Sequence, residues 1–220
     1  MNTADLVREF NALYYRGLPG KERQFTTLSW MGVPILKCPE DLFMYQEIIA
    51  ETAPDVIVEC GVFRGGSTLY LAQLCELLNR GRVLAVDVTL ERVHSVVGEH
   101  PRVELLEGSS VDEAIVEAIR EKTAGQRVMV ILDSDHRAAH VSRELRAYGP
   151  MVTPGCYMIV EDTNINGHPV PWRGGPGPFE AVAEFLSETS GWTADARRER
   201  LLVTFNPNGY LLRDGAPRAQ

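Results

Sequence analysis

The chain has 220 residues with 22 Lys and Arg against 30 Asp and Glu, a formal net charge of −8. Its 45% hydrophobic and 24% charged residues exclude an intrinsically disordered, collagen-like or coiled-coil protein and leave one domain, with or without an appendage. The acidic balance argues against nucleic acid or an anionic membrane as the main partner, because both require basic surface.

The N-terminal stretch MNTADLVREFNALYYRG carries charges where a signal peptide needs its apolar segment, and no apolar run approaches the ~18 residues of a membrane span, so a cytoplasmic protein is expected. Cys38, Cys60, Cys75 and Cys156 form no CxxC pair or ligand spacing and are expected to be reduced core thiols. Residues 1–53 read as an N-terminal arm and helix, with Asp41 as the cap of a helix starting near residue 42. The arm would be packing structure, a substrate lid or a dimer contact.

Residues 54–220 read as the main domain. Strand candidates at 55–60, 82–88, 102–108, 127–133 and 156–162 alternate with helix candidates at 66–79, 90–98, 111–123 and 137–147, the pattern of a parallel sheet covered on both faces. Residues 163–178 hold four Gly and four Pro after a strand end, where open α/β folds bind ligands, so a functional loop that orders with substrate is expected. A helix at 178–188 follows. RLLVTFNPNGYLLR then reads as two strands around an Asn-Pro-Asn-Gly turn, necessarily antiparallel. The expected fold is α/β: a doubly wound, mostly parallel seven-stranded sheet with a C-terminal antiparallel hairpin. By fold analogy that ending favours class I methyltransferases over dinucleotide dehydrogenases.

Glu59-Cys60-Gly61-Val62-Phe63-Arg64-Gly65-Gly66-Ser67-Thr68 is a glycine-bearing turn that opens a helix, and it lets a ligand approach the backbone and the helix N-terminus. Asp87 ends the next strand 21 residues after Gly66, where a carboxylate would accept both hydroxyls of a ribose. Together they favour an adenosyl cofactor over a structural turn. Ser109 and Ser110 follow the third strand, as a helix cap or an adenine contact, with Asp112 complementing the helix dipole.

Asp133, Asp135 and His136 follow the fourth strand, and Glu161 and Asp162 the fifth. Four acids on neighbouring strand ends repel one another unless a cation or proton lies between them. Oxygen ligands without a thiolate suit Mg²⁺ before Mn²⁺ or Ca²⁺. The competing reading is solvated loop acids. His136 is the one histidine with a chemical neighbourhood, and beside such a site it would serve as general base.

VIVECGVFRGGSTLYLAQL, GRVLAVDV, EGSS, ILDSDH, GCYMIVEDT and the upstream WMGVPILKCPEDLFMYQEII resemble the family of rhamnosyl O-methyltransferases and cephalosporin-hydroxylase-like proteins, within the class I methyltransferases. The resemblance spans roughly residues 25–215. It implies S-adenosylmethionine held by Glu59, Gly61, Gly65, Ser67 and Thr68, with Asp87 on its ribose and Ser109 and Ser110 near adenine. The metal pattern of similar O-methyltransferases falls on Asp133, Glu161 and Asp162, and that of the base on His136. Asp135 would contact the cofactor or replace Asp133 as first ligand.

The expected activity is a Mg²⁺- or Mn²⁺-dependent O-methyltransferase acting on a small hydroxylated acceptor, a sugar or glycosylated natural product, and working as a homo-oligomer. In this reading Trp172 stacks on the acceptor or packs on the domain. The rivals are a hydroxylase-type member of the family, a cofactor-binding scaffold and a nicotinamide-dependent oxidoreductase.

Overall fold

The structure, a computed structural model, describes residues 2–171 and 174–215. The elements, in chain order, are α1 (Thr3–Arg16), β1 (Ser29–Trp30), β2 (Val33–Pro34), α2 (Pro39–Thr52), β3 (Val56–Cys60), α3 (Gly66–Leu77), β4 (Arg82–Asp87), α4 (Ser95–Gly98), β5 (Val103–Glu107), α5 (Glu113–Thr123), β6 (Val128–Leu132), α6 (Ala138–Tyr148), β7 (Tyr157–Val160), α7 (Pro178–Glu188), β8 (Trp192–Ala194) and β9 (Tyr210–Arg213).

Seven strands form one sheet in the order β5-β4-β3-β6-β7-β9-β8. The pairs from β5 to β7 are parallel, and β9 lies antiparallel to both β7 and β8. Because β3 and β6 have neighbours wound in opposite directions, the crevice beyond their C-terminal ends is the topological switch point, where open α/β sheets bind ligands. Strand alternation divides the core. Val56, Val58 and Cys60 pack with Val141, Leu145 and Phe185 on one face. Ile57, Ile131 and Ile159 pack with Met44, Tyr45, Ile48 and Leu71 on the other.

Continued by two residues, this second face receives Glu59 from β3, Asp133 beyond β6 and Glu161 beyond β7, since each shares its strand's parity with Ile57, Ile131 or Ile159. The hydrogen bonds Asp133 N to Cys60 O and Glu161 N to Leu132 O, 2.7 and 3.0 Å, keep that alignment to the strand ends.

The antiparallel ending is present, but its partner strand is not the expected one. β9 pairs with Trp192–Ala194, while Leu201–Asn206 leaves the sheet. Asp41 accepts from Thr204 Oγ1 at 2.5 Å and Phe205 N at 2.8 Å, and Phe205 packs with Tyr15, Phe25, Ile165 and Val170. Side-chain capping and a separate apolar cluster thus outweigh the β propensity of Leu-Leu-Val-Thr-Phe. The same contacts correct the expected cap: α2 starts at Pro39 after Cys38, and Asp41 points into the core. The expected helix at 90–98 shrinks to Ser95–Gly98, and His94 N, just before it, donates to Arg64 O of the glycine turn.

The arm packs on the sheet domain. Met31 and Gly32, both at positive φ, form the two-residue turn of the β1–β2 hairpin. Trp30 donates to Gln73 Oε1 at 2.7 Å and meets Tyr70 edge to face. A Cβ on Gly66 would lie 2.3 Å from Pro34 O, so the arm runs in contact with the start of α3 and delivers residues 35–38 to the switch point. The Gly/Pro loop is only partly an open loop: Thr163, Asn164, Ile165 and Val170 are buried. Val170 N donates to Asn164 O, and Thr163 Oγ1 to Pro207 O. Trp172 lies outside the described residues. The four cysteines are free and buried, and no helix among the described residues is long and apolar enough to cross a membrane.

Candidate functional site

The glycine turn between β3 and α3 forms one wall of the crevice. Gly61 has φ +100°, and a Cβ there would stand 2.0 Å from the carbonyl oxygen of Asp133. Only glycine permits this approach, so the turn and the first acid of the next strand end are locked together. Gly65 caps α3 in the left-handed region without a side-chain acceptor, leaving first-turn N–H groups open to a ligand.

Glu59 is fully buried beneath the turn. Its Oε2 accepts from Thr68 Oγ1 at 2.5 Å. Oε1 is buried without a hydrogen-bond partner. Burial pushes this carboxyl up to about 6, against the opposing pull of Lys37, Ser67 and Thr68. Asp87 closes the turn from β4: its Oδ2 accepts from Val62 N at 2.8 Å and Phe63 N at 2.9 Å. Of the residues expected at the cofactor, Glu59, Gly61, Gly65, Ser67, Thr68 and Asp87 surround this one turn, a cradle that suits a ligand bearing an ammonium and a carboxylate, while Ser109, Ser110 and Asp135 stand on other loops.

Ser110 is drawn into a polar knot instead of capping α5, whose N-cap position is Asp112. Ser110 Oγ and Ser134 Oγ both donate to Glu144 Oε1, at 2.5 and 2.7 Å, and His140 Nε2 lies 3.2 and 3.1 Å from the two hydroxyls. Tyr148 donates to Ser110 O. Glu144, whose Oε1 lies 3.5 Å from His140 Nε2, raises the His140 pKa. The knot fixes the loops after β5 and β6, where Ser109 also stands.

The acids divide into two groups. Ligand atoms of Asp133, His136 and Asp162 lie within 4.8 Å of one another, with His136 Nε2 3.3 Å from Asp162 Oδ2. Asp162 reaches this group because its backbone is left-handed, φ +54°, turning its side chain off the strand's alternation. Glu161 lies in the second group: its Oε1 is 2.6 Å from Lys37 Nζ, and the same ammonium contacts Asp133 Oδ2. Burial and the neighbouring Asp133 raise the Glu161 pKa well above the usual carboxylate range. Burial also raises that of Asp162, opposed by His136. Burial alone would pull Lys37 down, but Asp133, Glu161 and Glu59 outweigh it and hold its pKa above the usual lysine value.

Asp135 stands apart from the cluster, with its carboxylate taken by Arg137 Nε and Arg137 N at 2.9–3.0 Å. Of the two alternative first ligands, Asp133 is the one at the cluster. The carboxylate oxygens fit a hard divalent ion with positions left for water or acceptor oxygens, and the imidazole stands beside them. Among the described residues the cluster has a single histidine, not the two of an iron facial triad. Sequence reasoning missed Lys37, Ser134 and Glu144. Only Lys37 left a signal, as the lone charge in the apolar run Gly-Val-Pro-Ile-Leu-Lys-Cys-Pro, where a buried ammonium demands an acid.

A family model described as rhamnosyl O-methyltransferase/CmcI matches residues 22–214. A rhamnosyl O-methyltransferase of Mycobacterium tuberculosis is 35% identical over 214 residues, covering 95% of this chain and 85% of that protein. One from Mycobacterium leprae is 34% identical over 216 residues, covering 96% and 92%. CmcI solved with Mg and SAM superposes with a TM-score of 0.66 at 21% identity, covering 91% of this chain and 83% of that one. An O-methyltransferase of Bacillus cereus in complex with SAH gives 0.55 at 17%, covering 87% and 81%. These solved structures share the fold described above.

Proposed function

Because the chain belongs to the rhamnosyl O-methyltransferase/CmcI family, we propose that it transfers a methyl group from S-adenosylmethionine to a hydroxyl of a small molecule, a sugar or glycosylated natural product, with Mg²⁺ or Mn²⁺ at its acid cluster. The observation that carries this reading is the contact between Gly61 and the Asp133 backbone: the cofactor cradle and the acid cluster are built on one another at a single switch point.

In this reading Glu59 and the open N–H groups of α3 hold the amino acid part of the cofactor, Asp87 its ribose, and the loop of Ser109 and Ser110 its adenine side. Asp133, Glu161 and Asp162 would hold the divalent ion, with His136 beside them. When bound, the cofactor supplies an electrophilic sulfonium methyl, and the ion lowers the pKa of an acceptor hydroxyl. His136 Nε2 would take the proton of the acceptor hydroxyl as that oxygen accepts the methyl group. Asp162, 3.3 Å away, stabilises the resulting imidazolium. The buried first half of the Gly/Pro loop and the arm wall the acceptor side against water. Asp135 remains a candidate contact to the cofactor through its loop.

The test is release of S-adenosylhomocysteine, followed by mass spectrometry with rhamnosylated and other glycosylated acceptors, before and after EDTA treatment. Transfer that EDTA abolishes and Mg²⁺ restores supports the reading. Full transfer in chelated buffer removes the metal from it. Absence of transfer together with absence of S-adenosylhomocysteine binding removes the activity.

A further inference from the structure

Lys37 is used by nothing in the proposed reaction, yet it is 3% exposed and its ammonium sits between Asp133 and Glu161. Resting on the reading that the acid cluster holds a divalent ion, we propose that Lys37 is the resident counter-ion of the cluster and competes with that ion for Asp133 and Glu161.

Strand parity puts Glu59, Asp133 and Glu161 on the same face of the sheet, and the turn at Asp162 adds a fourth acid at the mouth. Like charges this close, taken out of water, require a cation for the fold to tolerate their ionised forms. Lys37 is the cation the chain itself provides. Among the described residues it is the basic side chain paired with Asp133 and with Glu161, whereas Asp162 pairs with His136.

Asp133 belongs to both groups, contacting Lys37 through Oδ2 and contributing a carboxylate oxygen to the trio with His136 and Asp162. A divalent ion held by Asp133 and Asp162 beside His136 therefore shares a carboxylate with an ammonium. Two cations on one carboxylate repel, and Lys37 withholds Glu161 from the ion as long as its own contact lasts. The consequence is reciprocal. Lys37 keeps the metal-free protein folded with its acids gathered, and it weakens ion binding so that the ion exchanges. The arm that carries Lys37 is fixed at Trp30 and Pro34 against α3, so the ammonium is held at the cluster by packing as well as by charge.

The experiment uses the full chain with Mn²⁺ as probe, read by electron paramagnetic resonance and by Tm in EDTA and in excess Mn²⁺, with S-adenosylhomocysteine affinity as a check of folding. Lys37→Met should bind Mn²⁺ at least tenfold more tightly than wild type, melt lower in EDTA and recover more Tm on Mn²⁺ addition. Lys37→Arg, which keeps the charge, should stay within a few fold of wild-type Mn²⁺ affinity. A Lys37→Met protein recovered only when Mn²⁺ is present supports the proposal. If it cannot be recovered at all, Lys37→Gln takes its place with the same expectations.

Wild type that binds Mn²⁺ with Lys37→Met or Lys37→Gln binding equally or more weakly overturns the counter-ion role and leaves the metal site standing. A Lys37→Arg affinity that rises as for Lys37→Met also overturns it, since charge is then not what matters. If neither wild type nor the neutral variants bind Mn²⁺ at millimolar concentration, the metal reading fails and the competition falls with it. Binding by a neutral variant alone supports it.

Discussion

Replacing Gly61 by Ala tests whether the cofactor cradle and the acid cluster are one construction. The residue has φ +100°, and its added Cβ would stand 2.0 Å from Asp133 O, 2.6 Å from Asp133 C and 3.1 Å from Ser134 N. Relief to even 3.0 Å requires the β6 end or the turn to retreat by about 1 Å, against the bonds Gly61 N to Val86 O and Asp133 N to Cys60 O, 2.8 and 2.7 Å. A positive φ costs an L-residue about 1–2 kcal/mol, and overpacking against backbone adds about 1–3 kcal/mol, so the loss should be about 2–5 kcal/mol. Gly167 supplies the control: its φ is +114°, and a Cβ there meets nothing within 4 Å, so Gly167→Ala carries the conformational cost alone.

Urea unfolding should show a lower midpoint at unchanged slope for both variants, with Gly61→Ala the more destabilised by at least about 1 kcal/mol. If folded Gly61→Ala protein is obtained, displacement of Asp133 should weaken Mn²⁺ as well as S-adenosylhomocysteine binding, and a misplacement of about 1 Å should cost about 10²-fold in transfer. Equal losses for the two variants, or weakened cofactor with unchanged Mn²⁺ affinity, would refute the mechanical link.

Asp87→Ala should lower S-adenosylhomocysteine affinity about tenfold to a hundredfold by calorimetry, since the ribose loses a charged acceptor and the Val62 and Phe63 amides lose theirs; wild-type affinity would sink the ribose assignment. Asp133→Asn should keep that affinity within a few fold yet abolish methyl transfer, and an active variant would remove Asp133 from the acceptor side. His136→Ala should lower turnover by about 10² to 10⁴ with partial recovery at high pH, and an undiminished rate would return His136 to a loop role. Asp41, pushed up to about 6 by burial despite its bonds from Thr204, Phe205 and Tyr210, stabilises most in its protonated form. That contribution is complete below pH 3.8 and lost as pH rises through about 6. The stability deficit of Asp41→Asn against wild type should therefore shrink between pH 4 and pH 7, by up to about 3 kcal/mol; a deficit that grows with pH in urea unfolding would contradict the burial argument.

The parallel sheet was legible because its strands are buried on both faces and so read as unbroken β-branched runs, and the strand-end acids were legible because the same runs end in them. Their grouping was also within reach of the sequence. Ile57 with Glu59, Ile131 with Asp133 and Ile159 with Glu161 repeat one spacing, and a period of two puts all three acids on the face of their isoleucines. What removes Asp162 from that set is a left-handed backbone at a non-glycine residue, fixed by the loop around it: Asp162 N donates to Asn206 Oδ1, 44 residues away.

The remaining differences share a cause in contacts of long sequence separation. Trp192–Ala194 carries little strand signal and becomes a strand because β9 offers an edge, while the stronger run at residues 201–205 is claimed by Asp41 from the arm. Lys37 meets Asp133 96 residues away for the same reason. A lysine amid Val, Ile and Leu states in the sequence that it needs an acid, but not which one. In this fold the choice is made by geometry: the β1–β2 turn, the Trp30 contact and the glycine at position 66 set the arm's path, and that path ends between the two strands whose terminal acids share a face. The arm is therefore part of the site's electrostatics, and any movement of residues 29–38 away from α3 would also withdraw a positive charge from Asp133 and Glu161.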